Sequence, residues 1–288
     1  MPDGILIIDK PSGWTSMDVC AKLRGILQEK RVGHAGTLDP MATGVLPVFA
    51  GRATRAVSFA ENGEKEYRAV LRLGLDTDTQ DITGETVQTR PVTAGRAEVE
   101  AALPRFTGEL QQIPPMYSAV KIGGRKLYDL ARAGRTVERA PRPVTVYELE
   151  LLRQNSETDY VLRCVCSKGT YIRTLCHDLG EVLGCGGCLA ALRRTRAAGF
   201  TLENAVTLEE VEERGAAALL PLDAFFADYP LYRLADPEAE RRCRCGNSLA
   251  APGCPNGVYR VCGADGELLC ISRGEGGRLT SLKNFFGA

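Results

Sequence analysis

The run Gly33-His34-Ala35-Gly36-Thr37-Leu38-Asp39-Pro40-Met41-Ala42-Thr43-Gly44 leaves the chain fewer structural options than any other segment. Its three glycines admit backbone angles closed to other residues and let a ligand approach the main chain closely. Pro40 biases Asp39 away from helical geometry, toward an extended or turn conformation. One carboxylate is therefore held in an irregular loop. An Asp presented this way suits a nucleophile or an acid/base. Asp before Pro is also ordinary turn chemistry, so the loop alone does not choose between the two.

With 288 residues, the chain has room for one large domain and a small one. Hydrophobic residues at 44% and charged residues at 25% describe a soluble globular protein. No apolar run reaches membrane-spanning length, and Ile5–Ile8 is too short for a secretory signal, so the expected compartment is the cytoplasm. The odd count of eleven cysteines in that setting favours free thiols over disulfides. Net charge is zero, yet seven Lys/Arg lie between Lys121 and Arg142 (Lys121, Arg125, Lys126, Arg132, Arg135, Arg139, Arg142), against Asp129 and Glu138. Arg193, Arg194 and Arg196 form a second basic group. Such local surfaces engage phosphates even on a neutral chain, although a solvated helix face has the same composition.

Gly4–Asp9 reads as a buried strand. Thr15 or Ser16 caps a helix with apolar positions Val19, Leu23, Ile26 and Leu27. Tyr67–Leu73 alternates as a strand, as do Val144–Leu152 and Tyr160–Cys166. Gly74–Glu85 reads as a solvated acidic loop, Arg96–Leu103 as a helix. Gly108–Arg142, with Pro114-Pro115, reads as an excursion from the main sheet. Gly169 opens a helix with Ile172, Leu175, Leu179 and Val182 on its apolar face, and helical spacing is expected to continue to about Leu220. Short strands at Gly257–Cys262 and Leu268–Ser272 follow a junction at Pro221–Pro230. Strands and helices mix irregularly, which predicts an α+β core rather than a doubly wound sheet.

Several standard sites are missing: a phosphate-binding Gly-x-x-x-x-Gly-Lys-Ser/Thr loop, a dinucleotide fingerprint after a strand, and a Gly-x-Ser-x-Gly elbow. Two histidines, His34 and His177, argue against a histidine-rich metal centre. Asp76, Asp78 and Asp81 miss the spacing of a calcium loop, though Asp81 is expected to help order its side of the sheet. Cys185-Gly186-Gly187-Cys188 lacks a second pair, and neither half of a deaminase signature is present. No metal and no cofactor are expected. The positive constellation is Asp39, Tyr67 and Arg173, the last within Ser167-Lys168-Gly169-Thr170-Tyr171-Ile172-Arg173-Thr174. A guanidinium at the start of that helix can pair with Asp39 and keep it ionised and oriented. The Tyr67 phenol can stack on a flat ring or accept a proton once activated.

Together these residues resemble the tRNA pseudouridine-55 synthases of the TruB-type family. The likeness lies in Gly4–Pro11, Gly33–Pro47, Lys65–Ala69 with Leu73-Gly74, Gln112–Lys121, Ser167–Thr174 and Leu192–Thr195, in the family's order. Weaker likeness to the family's small RNA-binding β domain lies in Gly257–Val261 and Gly266–Ile271. The abundance of cysteine departs from the family pattern.

The resemblance implies an α+β pseudouridine-synthase-like fold: a mixed, mainly antiparallel sheet flanked by helices, with a small C-terminal β-barrel-like (PUA-like) domain. It implies a catalytic domain over 1–222, an RNA-gripping insertion at about 108–142, and an RNA-binding domain over 230–288. The implied reaction isomerises the T-loop uridine of transfer RNA from an N-glycoside to a C-glycoside, with no cofactor, no nucleotide partner and no membrane, in a monomer. Asp39 would attack C6 of the base or C1′ of the ribose, or assist formation of a glycal. Arg173 would hold Asp39 as the carboxylate; Tyr67 would stack on the base and take the C5 proton. Lys10 and Pro11 would line the pocket, Tyr171 and Leu192 would close it, and His34 would wedge into the loop as the uridine leaves its stack. The seven cations from Lys121 to Arg142, with Arg193 and Arg194, would meet phosphates. Two rivals share these features: a T-arm RNA-folding protein without catalysis, and a synthase acting on other RNA.

Overall fold

The computed structural model describes residues 2–287. The Ile- and Leu-rich start of the chain forms strand β1 (Gly4–Lys10), buried except at Asp9. It pairs antiparallel with β3 (Thr43–Ala50), which also pairs antiparallel with the short β2 (Val32–His34). The Asp39 loop therefore joins two antiparallel neighbours. Helix α1 (Ser16–Leu27) precedes them, capped by Thr15, whose hydroxyl accepts from the Asp18 amide while the Asp18 carboxylate accepts from the Thr15 amide. This reciprocal arrangement satisfies amides that the first turn leaves unpaired. Val19, Leu23 and Leu27 face the core, as the helical spacing predicts.

The main sheet continues through β4 (Lys65–Leu73), β5 (Gly108–Gln112), β6 (Arg142–Gln154), β7 (Asp159–Cys166) and β8 (Gly187–Ala197). Its order is β1-β3-β8-β4-β7-β6-β5, antiparallel except where β8 meets β3. In β4 the burial alternates residue by residue, with Tyr67, Ala69, Leu71 and Leu73 inward. Helix α2 (Leu127–Arg132) lies in the excursion, and helix α3 (Ile172–Val182) follows β7. The fold is the predicted α+β class with a mainly antiparallel sheet.

Two expectations fail. Helical spacing does not run on to Leu220, because Gly187–Ala197 is a central strand. Its Leu, Ala and Arg residues are good helix formers, but β3 and β4 supply partners on both edges, and tertiary pairing overrides that preference. Gly74–Glu85 is not simply a solvated loop either. Leu75–Thr77 pairs with Thr86–Thr89, and Asp76 and Asp81 are buried. Asp76 accepts from the Gly187 amide at 3.1 Å and pairs with Arg90 at 2.6 Å.

Beyond the junction, β9 (Leu231–Arg233), β10 (Leu249–Ala250), β11 (Gly257–Cys262), β12 (Leu268–Glu275) and β13 (Arg278–Asn284) form a second, curled sheet in the order β9-β11-β12-β13-β10. It packs directly on the larger unit: Ile271 and Phe285 share an apolar cluster with Ile5, Phe49 and Phe226. Arg260 pairs with Asp223 at 2.8 Å across the same seam. All eleven cysteines are free thiols, and all but Cys245 and Cys254 are buried. Among the described residues no helix is long and apolar enough to cross a membrane.

Candidate active site

The Asp39 loop is held at both ends and behind. Ser16 bonds both the amide (2.9 Å) and the carbonyl (3.2 Å) of Leu38. Lys10 Nζ donates to the carbonyls of Pro11, Trp14 and Pro40. Arg194, on β8, donates from Nε to the Val45 carbonyl (2.7 Å) and from Nη2 to the Gly36 carbonyl (3.1 Å), tying the loop's two stems together. Gly44, with φ +101°, passes so close to β8 that a Cβ there would lie 2.2 Å from the Arg194 carbonyl oxygen. These contacts fix where the carboxylate emerges.

Arg173, buried at 5% exposure, comes from the first turn of α3. Its Nε lies 2.9 Å from Asp39 Oδ2, and Nη2 donates to Oδ1 at 3.4 Å. The fork is aimed by the carbonyls of Thr79 (3.0 Å) and Tyr117 (2.8 Å), and Asp81 stands 3.7 Å from Nη1. Asp81 in turn accepts from the Thr79 and Thr83 hydroxyls and the Thr83 amide. The ion pair expected from sequence is thus formed across 134 residues of chain. Its electrostatic balance differs from the expectation: burial pushes the Asp39 carboxyl above its ordinary range, Arg173 pulls it down, and Asp81 adds an upward push. Arg173 therefore opposes a desolvation cost that it does not fully cancel.

A cavity of about 670 Å³ opens over this pair, lined by Asp39, Tyr67, Tyr171, Leu192, Arg173 and Arg194 among others. Tyr67 is buried, and burial pushes its phenol up to about 12 despite the Arg194 guanidinium beside it. Tyr171 caps α3, and the buried Gln112 clamps its backbone, accepting from its amide at 2.8 Å and donating to its carbonyl at 3.0 Å. The structure gathers Asp39, Tyr67, Arg173, Tyr171 and Leu192 at one cavity.

Other predicted site residues lie elsewhere. Lys10 is fully buried behind the loop and Pro11 is exposed, so neither lines the cavity; desolvation lowers the Lys10 ammonium to about 8. His34 sits on β2, outside the cavity lining, with Nδ1 buried and unpartnered; burial and the Arg194 charge push its imidazole down, which keeps it neutral at pH 7. Arg194 does not face phosphates, since it is 1% exposed and built into the cavity floor. Arg193 is committed to Asp9, at 2.7 Å. By contrast Lys121, Arg125, Arg132, Arg135 and Arg142 are exposed, and none of the seven cations of the excursion has a carboxylate at ion-pair distance among the described residues. Lys126 and Arg132 flank the Tyr128 ring at 5.1 and 5.5 Å, and Arg139 donates to the Pro114 carbonyl at 3.0 Å. Lys65, Tyr117 and Gln112 lie in segments that carry the family likeness, but sequence reasoning gave none of them a role in the site, because those roles depend on contacts from distant strands.

Comparison with known proteins shows the family. The family model described as TruB family pseudouridylate synthase, N-terminal domain, matches residues 24–172, and the tRNA pseudouridylate synthase B C-terminal domain matches residues 173–226. A tRNA pseudouridine synthase B of Ectopseudomonas mendocina (strain ymp) is 47% identical over 278 residues, covering 93% of this chain and 90% of that protein. One from Ralstonia pickettii (strain 12J) is 44% identical, covering 96% and 92%. Among solved structures, a Cbf5-Nop10-Gar1 complex superimposes with a TM-score of 0.74 at 26% identity, covering 98% of this chain and 85% of that one. The chain accordingly belongs to the TruB family of pseudouridylate synthases and is an enzyme of the isomerase type.

Proposed function

We propose that this enzyme converts the T-loop uridine of transfer RNA, uridine-55, to pseudouridine. The observation that carries the reading is the Asp39–Arg173 pair, 2.9 Å apart, at the base of a cavity walled by Tyr67 and Leu192. The target base must leave its stack to reach this depth, at a cost of a few kcal/mol. Unstacked loop bases are also what proteins read most readily in RNA. Asp39 is the group that engages the everted nucleotide, and Arg173 orients it. Tyr67 forms the flat wall. Because its phenol is neutral at pH 7, it accepts the C5 proton only as it gives up its own, acting as a relay rather than a free base. Tyr171 and Leu192 close the slot.

The unpaired cations of the excursion at about 108–142 supply the backbone grip on the T-arm, which a stand-alone enzyme needs because no guide RNA positions its substrate. The curled sheet within residues 230–288 extends that RNA surface from the catalytic unit, residues 1–222. Release of tritium from C5-labelled uridine in a T-arm RNA tests the reading. Asp39→Asn is expected to abolish release while leaving RNA affinity within a few fold. Appreciable release by that variant removes Asp39 from the chemistry; a wild-type protein that binds T-arm RNA without releasing tritium is an RNA-folding protein instead.

A further inference from the structure

Among the described residues, two buried cations in the cavity lining have no carboxylate at ion-pair distance. Arg194 is 1% and Lys65 6% exposed, and both line the cavity. The Lys65 ammonium donates to the carbonyls of Glu61 (2.6 Å) and Gly63 (2.7 Å); Arg194 donates to those of Val45 and Gly36. Among the described residues no carboxylate stands at ion-pair distance from either. The cavity is lined by five cations (Lys65, Arg142, Lys168, Arg173, Arg194) but only two carboxylates, Asp39 and Glu61, and Asp39 is already taken by Arg173. Burial pushes the Lys65 ammonium down, Arg194 adds to that push and Glu61 pulls the other way, so the two cations work against each other in the free protein. Buried charges are ordinarily paired, and an uncompensated one is expensive. Of the lining cations Arg142 is exposed and accessible to a phosphate, whereas Arg194 and Lys65 are withdrawn from the surface.

The chemistry supplies an anion of the right size at the right place. Three routes lead to the isomer. If Asp39 bonds to C6, the carboxylate charge moves to C5 and O4 of the ring. If it bonds to C1′, the N1–C1′ bond breaks and its electron pair stays on the pyrimidine. If it takes the C2′ proton, N1 leaves with the same pair. In every case one negative charge passes from Asp39 to the pyrimidine. It returns to Asp39 when C5 bonds to C1′, Asp39 is released or, on the third route, gives its proton back to C2′, and the C5 proton is passed to N1. Resting on the isomerase reading above, we propose that Arg194 and Lys65 are the counter-charge for this transient pyrimidine anion, held in place before the substrate arrives. Preorganised charge of this kind costs no rearrangement at the moment of reaction.

The test compares two T-arm RNAs, one with uridine and one with 4-thiouridine at the target position, under single turnover. Thiocarbonyl pyrimidines hold negative charge better than uracil, so they depend less on an external cation. Arg194→Met is expected to slow uridine isomerisation about 10²–10³-fold, the scale of losing one preorganised electrostatic group. The loss on 4-thiouridine is expected to be at least tenfold smaller, with Kd for RNA within about threefold. Arg194→Lys, which keeps the charge but loses the planar clamp on Gly36 and Val45, is expected to be slower than the wild type and at least tenfold faster than Arg194→Met on uridine. Equal losses on the two RNAs, or a loss confined to Kd, overturn the proposal and leave Arg194 as a loop clamp. Should Arg194→Met melt early, Lys65→Met carries the same comparison, since Lys65 ties only its own β4 entry. A wild-type protein inactive on both RNAs refutes the isomerase reading, a result distinct from any of these.

Discussion

Replacing Arg173 separates the two tasks assigned to it, orientation and charge. The guanidinium makes four bonds: two to Asp39, at 2.9 and 3.4 Å, and one each to the Thr79 and Tyr117 carbonyls. Arg173→Lys keeps the charge, but a single ammonium cannot span all four acceptors, and about two bonds are lost. Charge-assisted hydrogen bonds contribute about 1.5–3 kcal/mol each. Asp39 keeps 35% side-chain exposure, and the water there screens the pair, which lowers that figure. A net loss of about 2–3 kcal/mol in holding the carboxylate for attack corresponds to a rate about 30- to 150-fold slower.

Arg173→Met removes the charge as well, and this adds a pH effect with a definite sign. The Asp39 carboxyl already titrates above its ordinary range through burial, and Arg173 is the main force pulling it back. The carboxylate is the working form, so activity is present above that pKa and lost as pH falls through it. Without Arg173 the loss begins at a higher pH than in the wild type. Tritium release measured in single turnover from pH 5 to pH 9 reads both effects. The Lys variant is expected to be slower at every pH with little movement of the acid limb; the Met variant is expected to be slower and to show the limb displaced upward. A Lys variant at wild-type rate, or a Met variant whose acid limb stays in place or moves down, refutes the account of the pair.

Two further outcomes follow from the same geometry. Arg132, Arg135 and Arg139 changed together to Gln are expected to weaken T-arm binding and to reduce the slope of log K against log salt by up to about 2, as the unpaired cations release fewer counter-ions; an unchanged slope places the phosphate grip elsewhere. Gly44→Ala is expected to cost about 3 kcal/mol in urea unfolding, since its Cβ would lie 2.2 Å from the Arg194 carbonyl oxygen in a backbone conformation of φ +101°. A cost below about 1 kcal/mol shows that the crossing of β3 and β8 is looser than described.

What could be read from the chain divides along a physical line. Features set by neighbours in sequence were readable: the two-residue alternation of β4, the Thr15 cap, and the loop chemistry around Asp39. Features set by distant partners were not. Gly187–Ala197 carries helix-forming residues and becomes a strand only because β3 and β4 flank it. The pairing of Asp39 with Arg173 spans 134 residues; the residue types marked both ends, but no spacing in the sequence fixes their contact. Charge was the least readable property. Lys10, Lys65 and Arg194 look like surface residues in any composition count, and Arg194 sits in a basic run that invited a phosphate role. All three are buried around the Asp39 loop. A net charge of zero therefore conceals a cationic cavity, in which Lys65 and Arg194 are withdrawn from water and interact far more strongly than they would at the surface. That withdrawal is costly, and the cost is the physical ground for the counter-charge role proposed for Arg194 and Lys65.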